Sequence, residues 1–175
     1  MVMTKFNIKK SDVFEDVIEL IPDKFSDNRG DIWTSFNEEI LEDELLLIPK
    51  FKHDKFSYSK KNVLRGIHGD NKTWKMISCI YGKIFQVIVD LREDSKSFKK
   101  WQSYELSFND KKSIIIPPNF GNAFLVLSDF AIYHYKLAYE GPYFDSNEQF
   151  SFSWDDPSIN ISWPTTNPIL SSRDK

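Results

Sequence analysis

The segment Ile84-Phe85-Gln86-Val87-Ile88-Val89-Asp90 is nearly apolar throughout and rich in β-branched residues. A strand with one wet face alternates polar and apolar side chains. This one does not, so it is expected to be buried on both faces, as inside a sandwich or small barrel. Similar short runs recur along the chain, broken by Asp, Asn, Gly, Ser and Pro. They predict strands over Ile32–Phe36, Phe51–Tyr58, Val63–Ile67, Trp74–Tyr81, Lys83–Leu91, Gln102–Leu106, Ser113–Ile116, Ala123–Leu127, Ala131–Ala138 and Phe150–Trp154. Tyr81-Gly82-Lys83 reads as a tight hairpin turn between two of them. The one good helical candidate is Asn37–Leu47, with early acidic residues and an apolar stripe. So many short strands predict an all-β sandwich or jelly roll with one or two short helices.

At 175 residues the chain suits a single domain, and no linker, repeat or composition shift divides it. Aromatics reach 15%, which large core fillers of a sheet-rich fold account for. A net charge of −3 and a pI of about 5.6 give no global field for nucleic acid. The first ten residues lack an apolar stretch with a cleavage site, and no segment has the length to span a bilayer. A cytoplasmic protein is expected. Cys79, the one cysteine, sits in the apolar run Met76–Ile80 and reads as a buried structural thiol. From Trp163 onward the tail is polar and Pro-punctuated, hence loose unless something pins it.

Three local signals carry chemistry. Arg65-Gly66-Ile67-His68-Gly69-Asp70 ends an apolar strand with a histidine beside a Gly-Asp turn. A lone histidine is by default a packing or surface residue, so its context alone does not assign it. Lys75 lies inside an apolar strand. Pointing outward it is merely solvated; pointing inward it must be paired or functional. Tyr133, His134 and Tyr135 follow one another on a strand, so the two tyrosines share a face and His134 takes the other. The three histidines, His53, His68 and His134, have no His-x-His spacing, and Asn122 stands where a last metal histidine would come. A metal site is therefore not expected. Gly-rich phosphate or dinucleotide loops are missing too, so side chains must perform any chemistry.

In order along the chain, seven blocks resemble the dTDP-4-dehydrorhamnose 3,5-epimerase family of cupin-type jelly rolls. They are Phe25-Ser26-Asp27-Asn28-Arg29-Gly30; Val63 to His68; Lys75 with Tyr81-Gly82-Lys83-Ile84-Phe85 and Val89-Asp90-Leu91-Arg92; Tyr135-Lys136; Trp154-Asp155-Asp156-Pro157; Ile161-Ser162-Trp163-Pro164; and Leu170-Ser171-Ser172-Arg173-Asp174. Each is weak alone, and their common order is specific.

The resemblance implies a cofactor-free epimerase of a nucleotide-linked 4-keto sugar. It implies His68 as base, Asp174 as the carboxylate that orients it, Lys75 facing the C4 carbonyl oxygen, and Tyr135 as the acid on the opposite face. Arg29 and Arg65 resemble the family's diphosphate-binding arginines, and His53, Lys55, Asn122, Tyr139 and Arg173 fall at further substrate-binding positions. A homodimer is implied as well, its N-terminal arm (about residues 1–50) packing on the partner subunit, so that Arg29 serves a neighbour's site. The chemistry suits these residue types. A hydrogen beside a ketone is acidic enough for a neutral histidine if the developing oxyanion meets a fixed positive donor.

The departures fall around the sugar and nucleotide. Gly69-Asp70 follows the base where the rhamnose enzymes have an aromatic residue and Gln, Asn122 replaces a histidine, and His53-Asp54-Lys55 stands for Q-D-N. This pattern is similar to the family's capsular heptose branch, which inverts C3 alone or both C3 and C5 of GDP-linked 4-keto heptoses. A GDP-heptose substrate is therefore the expectation, with a dTDP-4-keto-6-deoxyhexose as the alternative. A catalytically silent sugar-binding cupin is the rival of another class, and a mere binder has no need of a base opposite an acid.

Overall fold

The computed structural model describes residues 5–175. In chain order its strands are β1 (Phe6–Lys10), β2 (Ile18–Pro22), β3 (Lys24–Asp27), β4 (Gly30–Trp33), β5 (Phe51–Lys60), β6 (Leu64–Gly69) and β7 (Trp74–Tyr81). There follow β8 (Lys83–Asp90), β9 (Trp101–Ser107), β10 (Ser113–Ile116), β11 (Phe120–Val126), β12 (Phe130–Ala138) and β13 (Phe150–Ser151). One sheet runs β1-β2-β10-β7-β12-β5 and the other β13-β6-β11-β8-β9, while β3 and β4 form a separate hairpin. The result is a cupin-type jelly roll whose two main sheets enclose the core.

β8 is covered on both sides, as its composition requires. Ile84 and Ile88 enter the core between the sheets, beside Ile77, Ile114, Phe124 and Tyr133. Val87 and Val89 face outward, where Ile159, Ile161 and Trp163 pack over them. Burying an aliphatic side chain contributes about 1.5–3 kcal/mol, so four on one strand are together comparable to a small domain's whole net stability.

Three expectations are corrected. Tyr81-Gly82-Lys83 is not a hairpin, because β7 and β8 lie in different sheets. The chain crosses the sandwich there, with Gly82 at φ +79° tucked against the Phe130 carbonyl, where a Cβ would sit 2.2 Å away. The helix expected over Asn37–Leu47 shrinks to α1, Glu42–Leu45. Asn37 Oδ1 takes the Ile40 N–H, and the Ile48 N–H reaches back only three residues to Leu45, so turns replace regular helix on either side. The apolar stripe still acts: Leu41, Leu45 and Ile48 pack with Leu20, Met76 and Ile115 on the outer face of the six-stranded sheet. The strand expected at Ile32–Phe36 lies earlier, as β4 (Gly30–Trp33), because it pairs with β3 in an exposed hairpin that ends at Trp33.

Of the expected N-terminal arm, residues 1–4 lie outside the described residues; β1 and β2 extend the six-stranded sheet from β10. The C-terminal tail is pinned. Ile169 bridges to Val63, accepts the Leu64 N–H at 3.0 Å and donates to Asn62 O at 2.7 Å. Trp163 Nε1 donates to Trp154 O at 2.7 Å. Among the described residues no helix is long and apolar enough to cross a membrane.

Candidate active site

Between the sheets lies a cavity of about 240 Å³, lined among others by His68, Lys75, Asn122, Tyr135 and Asp174. Lys55, Arg65, Tyr143, Gln149 and Arg173 line it too. Four cationic side chains and one carboxylate line it, in a chain whose net charge is negative. That local excess suits an anionic ligand.

A backbone irregularity brings Arg65 and His68 to one side. Residues three apart on a regular strand face opposite ways. Here His68 pairs with Asn122 and Arg65 with Phe124, so Gly66 and Ile67 stand against Ala123 alone. This bulge turns both side chains into the cavity. Gly66 has φ +120°, and a Cβ on it would lie 2.4 Å from Ala123 Cβ and 2.6 Å from Asn122 O. Only glycine fits there.

His68 Nε2 stands 2.7 Å from Asp174 Oδ1. That is ion-pairing distance, and the carboxylate fixes the ring from its Nε2 side. Asp174 is 4% exposed. Ser171 Oγ donates to it at 2.5 Å and the Gly66 N–H approaches at 3.4 Å. Burial pushes its carboxyl up, but the contacts with His68, Ser171 and Gly66 outweigh that and hold it below the usual value. With Nε2 turned to the carboxylate, Nδ1 is the nitrogen left to take a proton.

Lys75 points inward and is 5% exposed. Its Nζ lies 3.9 Å from Asp70 Oδ2, while Asp70 Oδ1 accepts the backbone N–H groups of Lys72 and Thr73 at 3.1 and 2.7 Å. Burial lowers the Lys75 pKa, and Asp70 resists the shift. Tyr135 packs on Tyr133 at 4.5 Å between ring centroids. Burial drives its phenol well above the ordinary range, with Arg65 pulling back, so at any working pH it holds its proton. The arrangement therefore offers a base, a fixed cation and a proton donor around one space.

Of the other expected positions, Lys55, Arg65, Asn122 and Arg173 line this cavity. Arg65 Nε donates to Ser59 Oγ at 3.0 Å, and Arg173 Nε to Ser151 Oγ at 3.0 Å. His53 and Tyr139 stand outside it, behind Tyr143, whose ring lies 4.8 Å and 5.6 Å from theirs. Arg29 does not reach this chain's cavity. Its side chain is 84% exposed at the β3–β4 turn and ion-paired to Asp27 at 2.7 Å. His134 faces the other way, stacked on Phe56 and 2.7 Å from Asp54 Oδ1. The Asp90-Leu91-Arg92 block is structural, since Asp90 accepts from Arg92, Ser95 and Ser97 to hold the following loop.

Sequence reasoning passed over Thr73, Gln149 and Ser171 on the cavity wall, and Asp70 behind Lys75. A signal for Asp70 existed, because a lysine inside an apolar strand needs an opposite charge nearby. Among the described residues no group of three or more His, Cys, Asp or Glu side chains converges as a metal site.

The family model for dTDP-4-dehydrorhamnose 3,5-epimerase matches residues 12–175. The dTDP-4-dehydrorhamnose 3,5-epimerase of Escherichia coli K12 is 39% identical over 173 residues, covering 97% of this chain and 91% of the relative. Among solved structures, a dTDP-6-deoxy-D-glucose-3,5-epimerase from Legionella pneumophila, in complex with dTDP-4-keto-L-rhamnose, superposes with a TM-score of 0.89. It is 32% identical, covering 97% of this chain and 90% of that one. The Bacillus anthracis dTDP-4-dehydrorhamnose 3,5-epimerase with TDP and PPi bound gives 0.88, at 33% identity and 97% of both chains.

Proposed function

Because the chain belongs to the dTDP-4-dehydrorhamnose 3,5-epimerase family and is by that kinship a nucleotide-sugar epimerase, we propose that it inverts carbons beside the ketone of a nucleotide-linked 4-keto sugar. The observation that carries this reading is the meeting of His68, Lys75, Tyr135 and Asp174 in one cavity. His68 removes the proton next to the C4 ketone while Asp174 steadies the imidazolium that forms. Lys75 holds the charge that develops on the C4 oxygen. Tyr135, with its phenol kept protonated, returns a proton from the opposite face. The ketone is already in place, so proton transfers alone complete the inversion. Arg65, Arg173 and Lys55 take the diphosphate, where guanidinium forks match phosphate oxygens; Asn122 contacts the sugar, and His53 and Tyr139 back Tyr143 on the nucleotide side.

The substrate favoured by the relatives is a dTDP-linked 4-keto-6-deoxyhexose, which their names and the sugar nucleotide in the Legionella complex support. A GDP-linked 4-keto heptose of capsular sugar synthesis is the second reading. It rests on Gly69-Asp70 and Asn122, which differ from the rhamnose pattern and sit at or behind the cavity wall. The enzyme works in the cytoplasm, where activated sugars are made. It works as a homodimer whose N-terminal arm, about residues 1–50, carries Arg29 toward the partner's cavity.

Incubation in heavy water with each substrate tests the proposal. Deuterium is expected at C3, and also at C5 if both centres are inverted, with the dTDP-hexose turned over faster. Faster exchange on the GDP-heptose selects the second reading, and no exchange on either sinks the enzyme claim.

A further inference from the structure

A polar chain crosses the middle of the apolar core and ends at the cavity. Gln86, on β8, is fully buried. Its Nε2 donates to Val87 O at 2.9 Å and to Asn122 Oδ1 at 2.7 Å, while its Oε1 accepts from Tyr133 OH at 2.8 Å. A second approach of Tyr133 OH, to Asn122 Oδ1, is longer at 3.2 Å. Asn122 lines the cavity and is the cross-strand partner of His68.

The polarity of this chain follows from its far end. A backbone carbonyl only accepts, so the Gln86 atom against Val87 O must be the NH₂ group. The second hydrogen of that NH₂ points at Asn122 and requires an acceptor, hence Oδ1. Turning Asn122 over would set two donors face to face inside the core and leave both unpaired. The Asn122 NH₂ is left with the cavity side. An amide does not titrate, so this donor is the same at every working pH, unlike the histidine of the rhamnose pattern at this position.

We propose that Gln86 is a positioning residue, which passes the polarity of the Val87 carbonyl to Asn122 so that a fixed hydrogen-bond donor faces the substrate beside His68. The inference rests on the cavity being the nucleotide-sugar site. The donor selects an oxygen acceptor on the sugar next to the carbon that His68 addresses, either the carbonyl oxygen on its way to an enolate or a neighbouring hydroxyl oxygen.

Three variants test it. Tyr133→Phe removes a buried hydrogen bond but leaves the Val87–Gln86–Asn122 link, and its kcat and KM are expected to stay near wild type. Gln86→Leu leaves Asn122 held only by the longer Tyr133 contact and is expected to lower kcat/KM on the order of tenfold, the kinetic equivalent of one hydrogen bond. The loss falls in kcat if the partner oxygen is the enolate and in KM if it is a ground-state hydroxyl. Asn122→Asp puts an acceptor where the donor was and is expected to fall below Gln86→Leu. Thermal melting of each variant separates loss of fold from loss of function. A spectroscopic arm needs no Gln86 variant: the Asn122 side-chain NH₂ signals, assigned by their loss in Asn122→Asp, must shift when the turned-over sugar nucleotide is added to wild type. Equal kinetics for Gln86→Leu and Tyr133→Phe, or an unshifted Asn122 NH₂, overturns the relay. A wild-type chain that binds no nucleotide sugar overturns instead the reading of the cavity on which it stands.

Discussion

Lys75 and Asp70 face each other across 3.9 Å, both nearly excluded from solvent, and among the described residues neither Lys75 Nζ nor Asp70 Oδ2 has a hydrogen-bond partner. The pair is loose by the standard of a structural salt bridge, which leaves the ammonium free to engage a substrate oxygen. Asp70 is then the charge that keeps Lys75 protonated against burial. The other titratable and charged groups around this space are His68, Asp174, Tyr135, Tyr143, Lys55, Arg65 and Arg173. The three cations there only add to the pull on Lys75 to lose its proton. Asp70→Asn is expected to move the alkaline limb of the pH–rate profile to lower pH by about 1 unit or more, as loss of a close opposite charge does. An unmoved limb would detach Asp70 from the chemistry.

Asp174 gives a prediction in the acid range. Its folded pKa is lowered, so its contribution to stability is fully present above the unfolded value of about 3.9 and fades as pH falls from there through the folded pKa. The difference in Tm between wild type and Asp174→Asn is expected to shrink as pH falls below about 4. A difference that grows below about pH 4 would reverse the sign of the shift.

His68 and Tyr135 are expected to separate exchange from inversion. His68→Asn should lose both, by roughly 10²–10⁴-fold. Tyr135→Phe should keep wash-in of deuterium on the His68 face while inverted product falls, because proton removal survives and delivery from the other side does not. Equal loss of the two signals in Tyr135→Phe would remove it from the acid role.

Cys79 supplies a control on the core. Burial pushes its thiol up to about 11, and Sγ lies 3.2 Å from Tyr81 O. A thiol reagent at pH 8 is expected to leave the native protein unmodified and to react once in denaturant. Fast labelling of the native state would show the β7 region to be open.

Much of this fold could be read along the chain, where the physics is local. β7, β8, β10 and β12 are apolar runs whose ends the sequence marks. β1 was hidden because Asn7, Lys9 and Lys10 dilute its pattern on an edge strand, and β2 because it is short. At Gly82 the turn was legible and its destination was not, since which sheet a strand joins depends on partners far away in the chain. The site divides the same way. His68, Lys75, Tyr135 and Asp174 were expected from ordered blocks, and the fold gathers them around one cavity. Asp70 and Gln86 act through other side chains, and the bulge at Gly66-Ile67 depends on Ala123 across the sheet. No local signal reports either.

The depth of Asp174 has a consequence for how the cavity is assembled. The strands that build it all precede residue 140, but the carboxylate beside His68 comes from a segment 108 positions beyond Gly66, whose N–H it accepts. A contact that closes so long a loop forms late, because the entropy of closure must be met first. The sandwich can therefore be complete around a pocket that still lacks its acid, so that folding precedes competence.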